Sequence, residues 1–311
     1  MKAKIKIGIP RALLFYRYGS IWLNFFNDLD CDVICSPRTN KKILEDGIKH
    51  SIDESCLALK IYLGHVKWLE NKVDYILVPR IKCLKRHEKM CTNFNALFDI
   101  VNNTFDLPLL DYNVDVEEFK TEKKAFLNLG KILHKTKKET LKAYYKAKRI
   151  NKRETEYRYL KQDLLLKKGK EIKILLASHD YNLYDALVGE RITSILKSLN
   201  VDIIYTDIFE EKKIKDQYKK LSETLYWTYN KEMLSSIEFY SKDIDGLILL
   251  SVFPCGPDAL INEIILRKFK KPVTNIIVDE LTSEIGLQTR IESFIDIIKS
   301  VKKGRKNNEK D

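Results

Sequence analysis

Short apolar runs alternate with longer stretches of helical periodicity through the first hundred residues. Residues 5–9 read as a buried strand closed by Pro10, and 32–35 as a second strand stopped by Pro37. Between them Phe15, Trp22, Phe25, Phe26 and Leu29 fall at helical spacing. Asn40 begins a helix through about His50, and Leu57, Ile61, Leu63, Val66 and Leu69 repeat with a period near 3.6 over 54–70. A third strand is expected at 75–78, ending at Pro79. Strands and helices in this alternation predict an α/β protein whose parallel sheet is covered by helices.

The pattern changes between 116 and 168. Phe126, Leu129, Leu133, Thr136, Thr140, Tyr144 and Ala147 share one face at steps of three or four, and lysines fill the other. A long amphipathic helix or a helix pair is expected. Alternation then resumes, with strands at 172–177, 201–205, 246–250 and 273–278. Helices are expected at 185–199, 217–241, 257–268 and 288–301. The expected organisation is an N-terminal α/β lobe (1–115), a basic helical connector (116–170), a C-terminal α/β lobe (171–301) and a charged tail (302–311). A chain of 311 residues is long enough for both lobes to bury a core.

Composition adds little to this except in one place. With 44% hydrophobic and 32% charged residues the chain reads as globular, and no run of eighteen apolar residues predicts a membrane span. The first residues lack a signal-peptide layout, so a cytoplasmic location with six reduced cysteines is expected. The net charge of +12 is concentrated: 120–170 holds 18 lysines and arginines against five acids, leaving the remainder near neutral. Such a segment suits nucleic acid, CoA phosphates or an acidic partner. No helix–turn–helix, zinc-finger or RNA-binding signature accompanies it, so nucleic acid is the least favoured partner.

The cysteines gain interest from their places. Cys56, in DESC, starts the helix leading to the third strand; Cys91 lies in the loop that follows that strand. Cys255, in SVFPCGPD, sits between a strand and the helix that opens at Gly256–Pro257, where Asp258 can cap. All three map to carboxyl edges of sheets, where open α/β folds bind ligands. Thiolates hold iron–sulfur clusters, and helix N-termini favour the thiolate. Their spacing forms no C-x-x-C pair, however, and dispersed cysteines commonly serve as small buried hydrophobes. Cys31 and Cys35 read as core thiols, and Cys83 as either a further ligand or a packing residue.

Several separated segments carry a resemblance. GIPRALLFYRYGSIWLNFF, SPRTNKKILEDGIKHSIDESCLALKIYLGHV, LASHDYNLYDALVGERI and VFPCGPDALINEIILRK resemble the acyl-CoA dehydratase activase-related proteins. That group is similar to the superfamily of 2-hydroxyacyl-CoA dehydratases, benzoyl-CoA reductases and double-cubane cluster proteins. The resemblance implies two Rossmann-like lobes with an iron–sulfur cluster, [4Fe-4S] or double-cubane, held by Cys56, Cys91 and Cys255. It further implies a separate ATPase activator of the sugar kinase/actin fold as electron donor. The substrate would be an acyl-CoA or a small molecule, and the assembly a homodimer or a heterodimer with a homologous subunit. This chain has no G-x-x-x-x-G-K-[ST] loop of its own and reads as the recipient. A non-catalytic partner subunit of a larger homologue is the alternative. Ala58 stands where members of the family often have proline.

Candidate acid–base and anion-binding residues lie on the same edges. Arg11 follows the first strand, and His179 and Asp180 follow the strand at 172–177. His65 falls mid-helix and is expected to be packed. Asp53 and Glu54 are expected to cap the Cys56 helix, and Asp279 and Glu280 to cap or catalyse.

Overall fold

The computed structural model describes residues 3–308. The chain divides into two compact units, 1–156 with 226–229, and 157–225 with 230–311. In the first, β1 (Lys6–Ile9), α1 (Phe15–Asp28), β2 (Asp32–Cys35), α2 (Lys41–Lys49), α3 (Leu57–Leu69) and β3 (Tyr75–Cys83) follow the expected alternation. Then come α4 (Thr92–Thr104), β4 (Leu109–Asp115) and α5 (Glu122–Ile132), followed by α6 (Lys137–Lys168), which runs into the second unit. The second unit contains β5 (Lys173–Ala177), α7 (Asp180–Leu183), α8 (Gly189–Ser198), β6 (Asp202–Tyr205), α9 (Glu211–Ile214) and α10 (Thr228–Tyr240), whose first two residues belong to the first unit. It is completed by β7 (Gly246–Val252), α11 (Gly256–Lys268), β8 (Val273–Val278) and α12 (Glu284–Asn308).

Each unit has one four-stranded, all-parallel sheet, ordered β2-β1-β3-β4 and β6-β5-β7-β8. The order is the same in both: the chain winds outward from the first strand, then returns to add two strands on its other side. This α/β architecture with two parallel sheets agrees with the Rossmann-like lobes implied by the sequence. The reversal of winding falls between β1 and β3 in one sheet and between β5 and β7 in the other.

Two departures from the sequence pattern have physical causes. β3 passes through Pro79 instead of ending there. Ile76 donates its backbone N–H to Pro108 on the β4 side, so alternation turns the Pro79 nitrogen towards β1. The β1 ladder has already ended at Gly8↔Ile76, and the missing N–H leaves no carbonyl unpaired there. The helix expected over 217–241 is also shorter, starting at Thr228. Tyr226 and Trp227 are held extended instead, with Lys89 N donating to Tyr226 O (2.8 Å) and Thr228 N to Lys89 O (3.1 Å).

The segment 116–170 forms a helix pair. His134 takes a positive φ of 56°, and Thr136 and Glu139 make a reciprocal capping box at the start of α6. Phe126, Leu129, Leu133, Thr140, Tyr144 and Ala147 are all buried, so the expected apolar face packs on the first sheet. Phe126 meets Phe25 and Tyr112 at centroid distances of 4.6 and 5.3 Å. Further along α6, buried Gln162 bonds to the edge strand β6. Its Nε2 donates to Tyr205 O and Ile208 O, and its Oε1 accepts from Tyr205 N. α12 extends through Asn308 into the segment expected as a tail, and residues 309–311 lie outside the described residues.

Candidate functional site

Three helices of thirteen residues begin with a cysteine at the N-cap. Cys56 starts α3, Cys91 starts α4 and Cys255 starts α11, each with extended backbone and none accepting a capping hydrogen bond on its side chain. Serine, threonine, asparagine or aspartate is the usual choice at this position, because a side-chain oxygen there satisfies an orphan N–H. Asn40 does so for α2, accepting from Ile43 N at 3.0 Å. At Cys56 and Cys91 sulfur replaces that oxygen at the positive end of a helix, which favours a thiolate. Asp53 and Glu54 precede the α3 cap and do not occupy it, correcting the role expected for them.

In the first unit the structure brings Cys56 and the start of α4 together. Asn93, two residues beyond Cys91, donates from Nδ2 to Cys56 Sγ at 3.5 Å. Lys60, one turn into α3 and buried, donates from Nζ to Asp53 O at 2.9 Å and ties the DESC loop to its own helix. α3 itself is fixed against α2 by a close crossing. A Cβ on Gly64 would come within 1.9 Å of Ile43 O, and one on Gly47 within 1.8 Å of Lys60 O. Neither Asn93 nor Lys60 stands out in the sequence, since their contacts depend on the fold.

Cys83, Asp115 and Glu117 form a separate group with potential ligand atoms within 4.8 Å of one another. Its carboxylates are already neutralised, Asp115 by Lys82 (3.0 Å) and Glu117 by Lys89. Cys83 is buried at the end of β3, burial raises its thiol pKa, and its Sγ donates to Lys85 O at 2.9 Å. It behaves as a packed thiol. Burial likewise raises the pKa of Cys31 and Cys35.

The second unit places different chemistry at its reversal point. His179 is the N-cap of α7 after β5, and Asp258 lies in the first turn of α11 after β7. Both are buried, and His179 Nε2 meets Asp258 Oδ1 at 2.8 Å. Asn230 donates to the same oxygen at 3.1 Å, while Asp258 Oδ2 is buried with no nitrogen or oxygen partner. Burial would raise this carboxyl's pKa, but His179, Asn230 and the Cys255 thiol together hold it below the ordinary value. An ionised carboxylate can only accept, so the proton lies on His179 Nε2. Asp258, expected from sequence as a helix cap, thus orients a histidine 79 residues away.

The remaining candidates are tied into the backbone. Arg11 donates from its main-chain N to Ser36 Oγ (2.8 Å) and from Nε to Ser36 O (3.1 Å), joining the ends of β1 and β2. Asp180 accepts from Tyr181 N at 2.8 Å within its own short helix. Asp279 accepts from Leu281 N and Thr282 Oγ1, closing the turn after β8. His65 is wholly buried between two hydroxyls, Ser36 Oγ at 2.8 Å and Thr39 Oγ1 at 3.0 Å. Burial, helped by the charge of Arg11, lowers its pKa to about 3, so it is a neutral packed histidine.

Residues 6–209 match the CoA enzyme activase uncharacterised domain (DUF2229). The chain belongs to this CoA enzyme activase family. The match runs through the whole sheet of the first unit and ends after β6 of the second. No curated protein matches the chain. Among solved structures, the laminin-binding protein Lbp of Streptococcus pyogenes aligns with 94% of this chain and 98% of its own, at 11% identity and a TM-score of 0.29. Among the described residues, no helix is long and apolar enough to cross a membrane.

Proposed function

We propose that this CoA enzyme activase family protein is the iron–sulfur-binding component of an ATP-dependent, low-potential reductase or 2-hydroxyacyl-CoA dehydratase-like system. Cys56, Cys91 and Cys255 are its ligands, and a separate ATPase activator of the sugar kinase/actin fold is its electron donor. The observation that carries this reading is the use of cysteine as the N-cap of three long helices. At each, the side chain forgoes the hydrogen bond that an ordinary cap would make.

The donor set suits such a group. All six cysteines are outside disulfides, and the three at helix starts are half-buried. Bound there, a cluster supplies a low-potential electron to an acyl-CoA or a small substrate. The chain's own residues do the rest. The N-termini of α3, α4 and α11 place the positive ends of three helices beside these sulfurs. His179, oriented by Asp258, holds a proton at Nε2 and is the group best placed in its unit for proton transfer. Arg11 ties the carboxyl ends of β1 and β2 together, and Asp180 bonds within α7 beside His179.

Anaerobic purification with iron, sulfide and visible absorption measured tests the reading. The wild type is expected to be brown and to carry iron and sulfide. Cys56→Ala, Cys91→Ala and Cys255→Ala are each expected to lose most of both. A colourless, iron-free wild type after reconstitution would overturn it. If the wild type loads, dye-free reduction that needs both ATP and an added activator is the expected second result.

A further inference from the structure

We propose that Asn93 is a positioning residue for the iron–sulfur group, holding the Cys56 sulfur by an N–H···S hydrogen bond and raising the reduction potential of the iron it ligates. The inference rests on the cluster-binding reading above and concerns a residue outside the ligand set.

The geometry is specific. Asn93 lies in the first turn of α4, and its Nδ2 donates to Cys56 Sγ across 3.5 Å, linking residues 37 positions apart. That separation is within reach of an amide donating to sulfur. A neutral thiol sulfur is a weak acceptor, whereas a thiolate is a strong one, so an amide aimed at sulfur is matched to the ligated form.

The packed cysteines behave in the opposite way. Cys83 Sγ donates to Lys85 O at 2.9 Å, and Cys31 Sγ is directed at Leu29 O at 4.0 Å, as neutral thiols in a core do. The polarity of the Cys56 contact is reversed, with sulfur as the acceptor. Hydrogen bonds to cluster sulfurs withdraw electron density and stabilise the more negative, reduced state. An amide does this without adding a charge and without titrating.

The test uses the full chain, reconstituted anaerobically, with iron content and midpoint potential measured by a reductive titration followed in visible absorption. Asn93→Leu keeps the branched side-chain shape and removes both donors. It is expected to retain iron and to shift the potential to a more negative value. Asn93→Asp is expected to shift it further in the same direction, and it supplies the reading should Asn93→Leu fail to fold. Asn93→Gln, which restores an amide, should return towards wild type. Asn95→Leu, at an exposed position on the same helix, is the control and should change nothing. Wild-type potential in fully loaded Asn93→Leu and Asn93→Asp overturns the inference. Absence of iron from the wild type would instead overturn the cluster reading itself.

Discussion

The two units share one sheet order but end their central strands in different chemistry. At the edge of the first sheet, two helices start on cysteines, and an amide from one helix reaches the sulfur of the other. At the corresponding edge of the second, one cysteine remains, and a buried carboxylate and imidazole occupy the reversal point. The buried histidines show the contrast most clearly. His65 is surrounded by hydroxyls and held neutral, while His179 faces an ionised Asp258. Identical topology therefore specifies where side chains converge, and the two units fill those points with different residue types, thiols in one and a carboxylate–imidazole pair in the other.

The largest expected effect lies in the second unit. Asp258→Ala removes one partner of a buried pair and leaves His179 and Asn230 without their acceptor. A loss of about 3–5 kcal/mol in urea unfolding is expected. A change below about 1 kcal/mol on the same scale would show that the pair does not anchor the edge.

The matching structural test in the first unit is Gly64→Ala. A methyl group there would meet the Ile43 carbonyl, and overpacking of this kind costs about 1–3 kcal/mol. Between β6 and α10 the second unit has the four-residue α9 and a short 3-10 turn, and the sequence from 190 to 245 holds no glycine, so no glycine crossing supports α10. Faster amide exchange confined to α2 and the start of α3 is the expected signature in Gly64→Ala.

Acid separates the two histidines. His65 binds no proton in the folded chain until about pH 3, whereas the unfolded chain protonates near pH 6.5. The unfolded state thus binds more protons in this window, and stability falls as pH drops through it. The expected slope from this group is about 1.4 kcal/mol per pH unit below pH 6. His65→Gln should flatten the dependence of the urea midpoint between pH 6 and 4.5. An unchanged slope would remove His65 as its source.

The smallest effects concern the caps. Asn40→Ala should cost about 1 kcal/mol, measured as a shift in the urea midpoint. Cys56→Ser and Cys91→Ser, in metal-free protein, should leave stability unchanged or raise it by a few tenths of a kcal/mol, since serine is the better cap. The same substitutions are expected to abolish iron binding. A substantial destabilisation by serine would argue that these cysteines serve packing.

Much of the fold was legible because helix and strand periodicities are local properties. The apolar face running from Phe126 to Ala147 announced the helix pair, and all but Thr136 of its residues are buried as its spacing requires. α4 and β4 were missed because Thr92–Thr104 carries scattered asparagines and Leu109–Asp115 ends in polar residues. Pro79 misled because proline is judged by its neighbours, and only the sheet shows that its nitrogen faces no partner strand. The start of α10 depended on Lys89, more than 130 residues away in sequence.

By itself the sequence determined the α/β class, the two parallel sheets, the concentration of charge in one helical segment and the placing of three cysteines near strand–helix junctions. Hydrophobic periodicity and turn residues carry that information within windows of ten to twenty residues. The tertiary structure alone decided that Cys91 too is an N-cap, that Asn93 meets Cys56, and that Asp258 meets His179. Those contacts join residues 37 and 79 positions apart. They arise from strand order, which brings successive carboxyl edges together and which local periodicity does not encode.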